Sequence, residues 1–546
     1  MGKTWILMVT CAVMLSGMEA FACTGLLVGK KASVDGSVMI SYAADSHTLY
    51  GELYRWSAAT WPKGAMLDII EWDTHKPLGQ IPQVEQTYSV VGNMNEHQVA
   101  ITESTFGGRP ELVDTTGIMD YGSLIYVTLQ RSKTAREAIR IMTDLVKDYG
   151  YYSSGETFSI ADKNEAWVME MIGKGPGNKG AVWVAIRIPD DCISAHANQS
   201  RIQQIPFDDK ENCIYSPDVV SFAREKGYFS GRDKDFSFQK AYCPYDFSAL
   251  RGCEARVWSF FRKYDKSMDQ YMDLIKGDVM KKPMPLYVKP DRLLSVRDVQ
   301  NGMRDHFEGT DLDMTKDAGA GPYKVPYRWR PMTFEVDGQE YTNERAIATQ
   351  QTGFVIVPQM RNWLPDAVGG ILWFGVDDAD MAVFTPIYCS VTASPECYRV
   401  GNGDMMNFSW TSAFWIHNWV ANMAYGKYSY MIQDIRLVQQ ELENSYQQTI
   451  PAVDKAASEL YAKNPAEAVK FLTWFSSTTA DQATARWKKL GEYLLVKYMD
   501  GNVKKEENGH FKQNGYGLSE YPDFPGYDED YYRSIVKSAG DKLKVK

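Results

Sequence analysis

Apolar and polar positions along the chain alternate in two distinct rhythms. Residues 24–30 (TGLLVGK) form a β-rich run, Ser33-Val34-Asp35-Gly36 supplies a turn with the Asp-Gly hairpin signal, and 37–42 (SVMISY) reads as the returning strand. A second hairpin is predicted over 88–105, where YSVVG enters the polar turn Asn93-Met94-Asn95-Glu96 and QVAITEST returns. Three β-rich runs between 156 and 188 (ETFSIAD, EAWVMEMI, AVWVAIRI) are separated by Asp162-Lys163-Asn164-Glu165 and the glycine-rich 173–180, which predicts an antiparallel meander. That glycine-rich stretch lacks the Lys-Ser/Thr ending and the following helix of a phosphate loop, so it reads as a hairpin turn.

Helical periodicity predicts a helical stretch over 122–149, whose second half opens on the capping box Thr134 to Glu137 and ends before Gly150. Ser216-Pro217 reads as a helix start with Pro in the first position, and helices are predicted at about 251–263 and 267–276. A Pro- and Gly-rich stretch spans 281–332, further β-rich runs occupy 353–360, 368–375 and 381–387, and residues 409 to about 499 read as strongly helical. The polar tail from 500 is expected to wrap the surface or fray. Hairpins and helices in this order predict an α+β protein, for which a four-layer αββα sandwich with a helical C-terminal region is one architecture. The expected organisation is a leader over 1–22, a main domain over 23–400, a helical part over 401–500 packed on it and a tail over 501–546.

With 546 residues and 44% hydrophobic content, the chain has material for one very large core or a core with an accessory lobe. A net charge of -10 with no long basic run argues against nucleic acid as a partner. The first 22 residues read as a signal peptide: Lys3, an apolar run from Trp5 to Leu15 too short to span a bilayer, then Ala20-Phe21-Ala22 as a cleavage site immediately before Cys23. The mature chain is therefore expected outside the cytoplasm, periplasmic or secreted, with signal peptidase as the partner that exposes Cys23. The competing reading makes Cys23 a lipidated anchor of a non-enzymatic binding protein, the only case in which a membrane would be a partner; Ala20 stands where that signal prefers a Leu-like residue. A homo-oligomer is compatible with either reading.

Of eight cysteines, Cys11 leaves with the leader and six besides Cys23 remain: Cys192, Cys213, Cys243, Cys253, Cys389 and Cys397. An even set in an exported protein suggests disulfides, with the close pairs Cys243/Cys253 and Cys389/Cys397 as natural partners among fifteen pairings. No metal or cofactor is expected, since there is no C-x-x-C and the seven His are scattered. Asp311 and Asp313 lack the Gly and distal Glu of a calcium loop.

A cysteine at a mature N-terminus carries its own base. Its α-amine, with an ordinary pKa of about 7.7–8, can take the thiol proton, and the thiolate can then attack an amide carbonyl. The oxyanion needs donors such as an Asn amide or backbone N–H groups. A Cys–His pair is the alternative, but His196 near Cys192 and His47 near the first hairpin follow no recognised pattern and read as satisfied or surface residues.

The opening Cys23-Thr-Gly-Leu-Leu-Val-Gly-Lys-Lys-Ala-Ser-Val-Asp-Gly-Ser resembles the start of the dipeptidase family with an N-terminal cysteine nucleophile, within the Ntn hydrolases and related to bile-salt hydrolases and penicillin V acylases. Gly92-Asn93-Met94-Asn95-Glu96, Ala197-Asn198-Gln199-Ser200-Arg201, Phe307-Glu308-Gly309-Thr310, Glu344-Arg345 with Thr349-Gln350-Gln351-Thr352-Gly353, and Leu372-Trp373-Phe374-Gly375-Val376-Asp377-Asp378 are similar to the same family. The resemblance implies an αββα fold and hydrolysis of dipeptides with a free amino group. It implies Cys23 as nucleophile, Asp45 as a hydrogen-bonding neighbour of it, Asn198 as an oxyanion donor and Arg256 as an active-site Arg. Tyr42 stands where the related acylases carry an Arg, so acylase substrates are not carried over, although a non-peptide amidase is the runner-up. Glu103 and Thr105, two apart on one strand face, are candidates for binding the substrate ammonium and assisting the oxyanion.

Overall fold

The structure, a computed structural model, describes residues 23–545. The predicted leader 1–22 lies outside the described residues. Strand β1 (Gly25–Val28) turns back into β2 (Val38–Ile40), with Leu27 opposite Ile40. The turn is closed by side chains: Ser33 Oγ donates to the Ser37 carbonyl at 2.7 Å, and the Ser37 N–H donates to Asp35 Oδ1 at 3.0 Å. Ser41 interrupts the strand by taking the Leu26 N–H on its hydroxyl at 3.0 Å, and the chain resumes as β3 (Tyr42–Asp45).

The remaining long elements follow in order: β4 (Ala100–Gly107), α1 (Tyr121–Leu129), α2 (Ala135–Tyr149), β5 (Gly155–Ala161), β6 (Ala166–Gly173), β7 (Ala181–Ile188), β8 (Ile193–His196), α3 (Ala255–Arg262), α4 (Val296–Met303), β9 (Thr352–Met360), β10 (Gly370–Val376), β11 (Thr385–Tyr388), α5 (Ala413–Tyr425), α6 (Tyr428–Lys463) and α7 (Pro465–Lys497). The protein is thus a mixed helix-and-sheet structure with a helical C-terminal region.

Two antiparallel sheets carry these strands. One runs Tyr287–Val288, β8, β1, β2, β9, β10, β11, with β3 also paired to β9. The other runs Cys213–Tyr215, β7, β6, β5, β4, Met94–Asn95, Val90–Val91, Arg55–Trp56. Because side chains alternate across a strand, each strand feeds two cores. Leu27, Val38 and Ile40 pack with Ala161, Val168 and Val184 of the second sheet. Leu26, Val28 and Met39 join a core that continues into α3, α5, α6 and α7. Ile101, Phe158, Trp167 and Met169 face a third core with α1 and α2. Burying each such side chain contributes about 1.5–3 kcal/mol, so these interfaces hold the sheets in register.

Several expectations are corrected in detail. The helical stretch 122–149 is two helices, divided between Leu129 and Ala135; Thr134 Oγ1 caps the second by accepting the Glu137 N–H at 3.2 Å. Pro217 precedes its helix, because Asp218 is the cap of Val219–Glu225. The Pro- and Gly-rich 281–332 contains α4, set by a capping box between Ser295 and Asp298. The tail holds a helix, Glu529–Ala539, and is tied to the body by a Lys324–Asp528 ion pair at 3.0 Å.

None of the described cysteines is bonded to another. Cys243 Sγ is directed to the Phe106 carbonyl at 3.6 Å and Cys389 Sγ to the Asp366 carbonyl at 3.3 Å. Asp311 pairs with Lys276 at 2.6 Å, and Asp313 accepts the Thr315 hydroxyl at 2.6 Å, which gives both carboxylates protein partners. Among the described residues no helix is long and apolar enough to cross a membrane.

Candidate active site

The register of the first sheet places the opening residues. In the β1–β8 ladder Gly25 lies opposite His196, so continuing the pairing brings Thr24 and Cys23 alongside Ala197 and Asn198. Asn198 follows the strand with φ 56, a left-handed conformation that Asn tolerates better than most residues. Gly25 is required at its position: a Cβ there would lie 2.6 Å from the His196 ring. That ring is pinned between the sheets, with Nδ1 2.6 Å from Ser104 Oγ and Nε2 2.7 Å from Ser159 Oγ. Burial lowers its pKa to about 3, so His196 is a neutral structural residue and no thiol partner. His47 is exposed.

Arg256, on α3, is fully buried and ties the site together. Nη1 donates to the Cys23 carbonyl at 2.7 Å and to Thr24 Oγ1 at 2.8 Å; Nη2 donates to the Ala197 carbonyl at 3.2 Å and to Asn198 Oδ1 at 2.9 Å. Burial lowers its pKa to about 10, which still leaves it charged at neutral pH. The Asn198 amide donates to the Thr105 carbonyl at 2.7 Å. Asp45 is buried at the end of β3, opposite Thr352 of β9, and accepts the Thr352 hydroxyl at 2.6 Å and a bond from Arg345.

The Cys23 thiol faces Tyr42 Oη at 3.6 Å, and the Tyr42 hydroxyl donates to Glu103 Oε1. Burial pushes the thiol pKa up, and the charges of Glu103 and Asp45 push it further, so the resting group is a thiol and not a preformed thiolate. Thr105 donates its hydroxyl to Glu156 Oε1 at 2.7 Å, which commits it away from the thiol. Burial, then the neighbouring Glu103 charge, holds Glu156 well above the usual carboxyl range, so Glu156 is the member of that pair that keeps a proton.

A cavity of about 320 Å³ opens onto Cys23, Tyr42 and Asp45. This is at the lower end of the range for small-ligand sites. Its far wall comes from the hairpin Met66–Ile70/Pro77–Pro82 and from the start of α1. Asp120 joins these two by accepting the N–H groups of Trp72, Gly122 and Ser123. Of the residues singled out in the sequence, Cys23, Tyr42 and Asp45 line the cavity, whereas Glu103, Thr105, Asn198 and Arg256 are not among its lining residues. Sequence reasoning assigned no role to Arg345, Thr352, Glu156 or Asp73. The first two sit in segments that carry the family resemblance, and the last two had no local signal.

The model of peptidase family C69 matches residues 22–58 and 52–441. A protein named probable dipeptidase from Latilactobacillus sakei is 27% identical over 486 residues, covering 84% of this chain and 92% of that protein. A probable dipeptidase from Salmonella dublin is 26% identical, over 69% of this chain and 83% of its own length. Dipeptidase A of Lactobacillus helveticus is 24% identical, over 79% and 86%. The chain belongs to peptidase family C69, the cysteine-peptidase family whose N-terminal-cysteine members its opening segment resembles.

Proposed function

We propose that this protein is an exported dipeptidase of the Ntn type, with its two sheets and flanking helices forming an αββα sandwich. Its activity begins when the residues before Cys23 are removed. The freed α-amine takes the thiol proton, the sulfur attacks the carbonyl of the peptide bond, and the protonated amine returns that proton to the departing amine; water then hydrolyses the thioester by the reverse route. Asn198 contributes to stabilising the oxyanion, Arg256 holds Asn198 and the Cys23 backbone in place, and Asp45 fixes the floor of the cavity. Glu103 acts through Tyr42 on the thiol side.

The observation that carries this reading is a cavity of about 320 Å³ floored by the buried Cys23, whose residue is bonded through Arg256 to Asn198. A thiol held protonated needs a base within bonding distance at the moment of attack, and a free amine on the same residue meets that need. The dipeptidase names of the relatives support the substrate class.

The test joins mass and activity. Intact mass of the exported protein is expected to begin at an unmodified Cys23; a fatty-acyl mass there would favour a lipid anchor. Cys23→Ala is expected to abolish dipeptide hydrolysis while keeping the fold, and Cys23→Ser to keep a small residue of it. A chain retaining one residue before Cys23 is expected to be inactive, and normal turnover by it would overturn the mechanism. Hydrolysis of N-acylated dipeptides as fast as free ones would point to an acylase instead.

A further inference from the structure

The ionisable residues that line the cavity are acidic on balance: Asp45, Glu52, Asp73 and Asp404 face one His75, and no Lys or Arg lines it. Three of the four carboxylates are used internally. Asp45 is held by Arg345 and Thr352. Glu52 accepts the Tyr54 hydroxyl at 2.9 Å and the Gly401 N–H at 3.2 Å. Asp404 closes its own turn through the Met406 and Asn407 N–H groups.

Asp73 differs from them. It sits at the tip of the cavity-wall hairpin, solvent-accessible, and takes one bond, from the Tyr121 hydroxyl at 2.9 Å. Behind Tyr121 lie the buried carboxyls of Glu103 and Glu156, close enough for Asp73 to raise the pKa of both, after the larger effect of burial. Among the described residues, no Lys, Arg or His forms an ion pair with Asp73, Glu103 or Glu156. Asp73, with the buried Glu103 carboxyl nearby and His75 as the one basic side chain in the cavity lining, leaves a region of negative potential that a cation would relieve. The wall beside Asp73 is aromatic: Trp72 packs at 4.7 Å, ring centre to ring centre, on both Tyr54 and Tyr126. Gly122 permits this, because a Cβ there would meet Trp72 at 2.5 Å. Ring faces add to the attraction for an ammonium.

We propose that Asp73 is the cation anchor of the substrate pocket: it takes an ammonium group of the substrate, with the Trp72 wall packed beside that group. This rests on the peptidase reading and names a specificity residue for it. The ammonium has two sources in a dipeptide, the free amino terminus and a basic side chain, and both present the same chemistry to the carboxylate.

The experiment uses the full mature chain and Asp73→Asn, which keeps size and an acceptor for Tyr121 while removing the charge. Hydrolysis is measured on two dipeptides that differ only in Lys against norleucine. Cys23 modification is measured separately with cationic aminoethyl methanethiosulfonate and anionic sulfonatoethyl methanethiosulfonate. Losing one charge-assisted hydrogen bond in a half-open cavity is expected to raise KM about tenfold, with kcat little changed, and to lower the cationic-to-anionic reagent ratio severalfold. An equal KM rise on both peptides assigns the ammonium to the amino terminus; a rise confined to the Lys peptide assigns it to the side chain. Unmoved KM values together with an unmoved reagent ratio overturn the anchor while leaving the peptidase reading intact. If the parent protein hydrolyses no dipeptide but the ratio still falls in the variant, the peptidase reading fails and the cation anchor stands.

Discussion

Arg256 and Asn198 are locked to each other at 2.9 Å by the same guanidinium that holds the Cys23 carbonyl at 2.7 Å. The group proposed as nucleophile and the amide proposed for the oxyanion therefore take their relative position from a third side chain on a different element, α3. A buried guanidinium with a planar fork does this better than an ammonium on a flexible stem.

Arg256→Lys is expected to lower kcat/KM by about 10²-fold, since small misplacements of reacting groups cost that much, with the KM change small. Arg256→Ala leaves several buried acceptors without donors and is expected to lose roughly 3 kcal/mol or more of stability as well. Urea unfolding together with steady-state kinetics separates these effects; unchanged kcat in the Lys variant would remove Arg256 from the positioning role.

Glu103 acts on the thiol by charge. It is among the causes that push the Cys23 pKa up, second to burial. Removing its charge in Glu103→Gln is expected to lower the thiol pKa, so that alkylation of Cys23 by iodoacetamide, followed by mass spectrometry across pH, reaches its plateau at lower pH than in the parent protein. A superimposable profile would show that the Glu103 charge does not reach the sulfur.

Gly25 and His196 predict a packing defect beside the site. In Gly25→Ala the new methyl group meets the His196 ring at 2.6 Å, and Ser104 and Ser159 hold that ring from both sides. The expected cost is about 1–3 kcal/mol from overpacking, read as a lower urea midpoint. A midpoint equal to that of the parent protein would mean that the ring can shift.

His196 also sets part of the acid sensitivity. Its pKa falls from 6.5 to about 3 on folding, because burial disfavours the imidazolium. The unfolded chain binds the proton more tightly, so stability falls as pH drops from the unfolded value towards the folded one. Between pH 7 and pH 4.5 this one group is expected to remove roughly 3 kcal/mol. His196→Gln has no such titration, and its stability is expected to fall less over that interval; parallel pH curves for the two proteins would contradict the assignment.

Much of the fold was legible in the sequence, and particular residues show why. The alternation of Leu26, Leu27 and Val28, the Asp35-Gly36 turn and the meander through Phe158, Trp167 and Val184 write out the strands, because side-chain direction in a strand follows position alone. Thr134 and Gly150 mark the ends of α2 through local hydrogen bonding and backbone freedom. The helix α4 went unread because its capping box lies inside a stretch dominated by Pro and Gly, where breakers mask a short amphipathic turn.

The sequence by itself determined that Cys23 follows a cleavage-type segment, that hairpins and helices alternate, and that Cys23 and Asn198 belong to family-like segments. Only the tertiary structure decided what surrounds the thiol. Arg256 is 233 positions from Cys23 and Arg345 is 300 from Asp45, and their meeting depends on how sheets and helices stack, which no local pattern encodes. The same packing turned Thr105 towards Glu156, put Tyr42 between the thiol and Glu103, and brought the otherwise unmarked turn residue Asp73 to the wall of the cavity. Charges become meaningful to one another only once burial removes the water between them, and burial is a property of the folded whole.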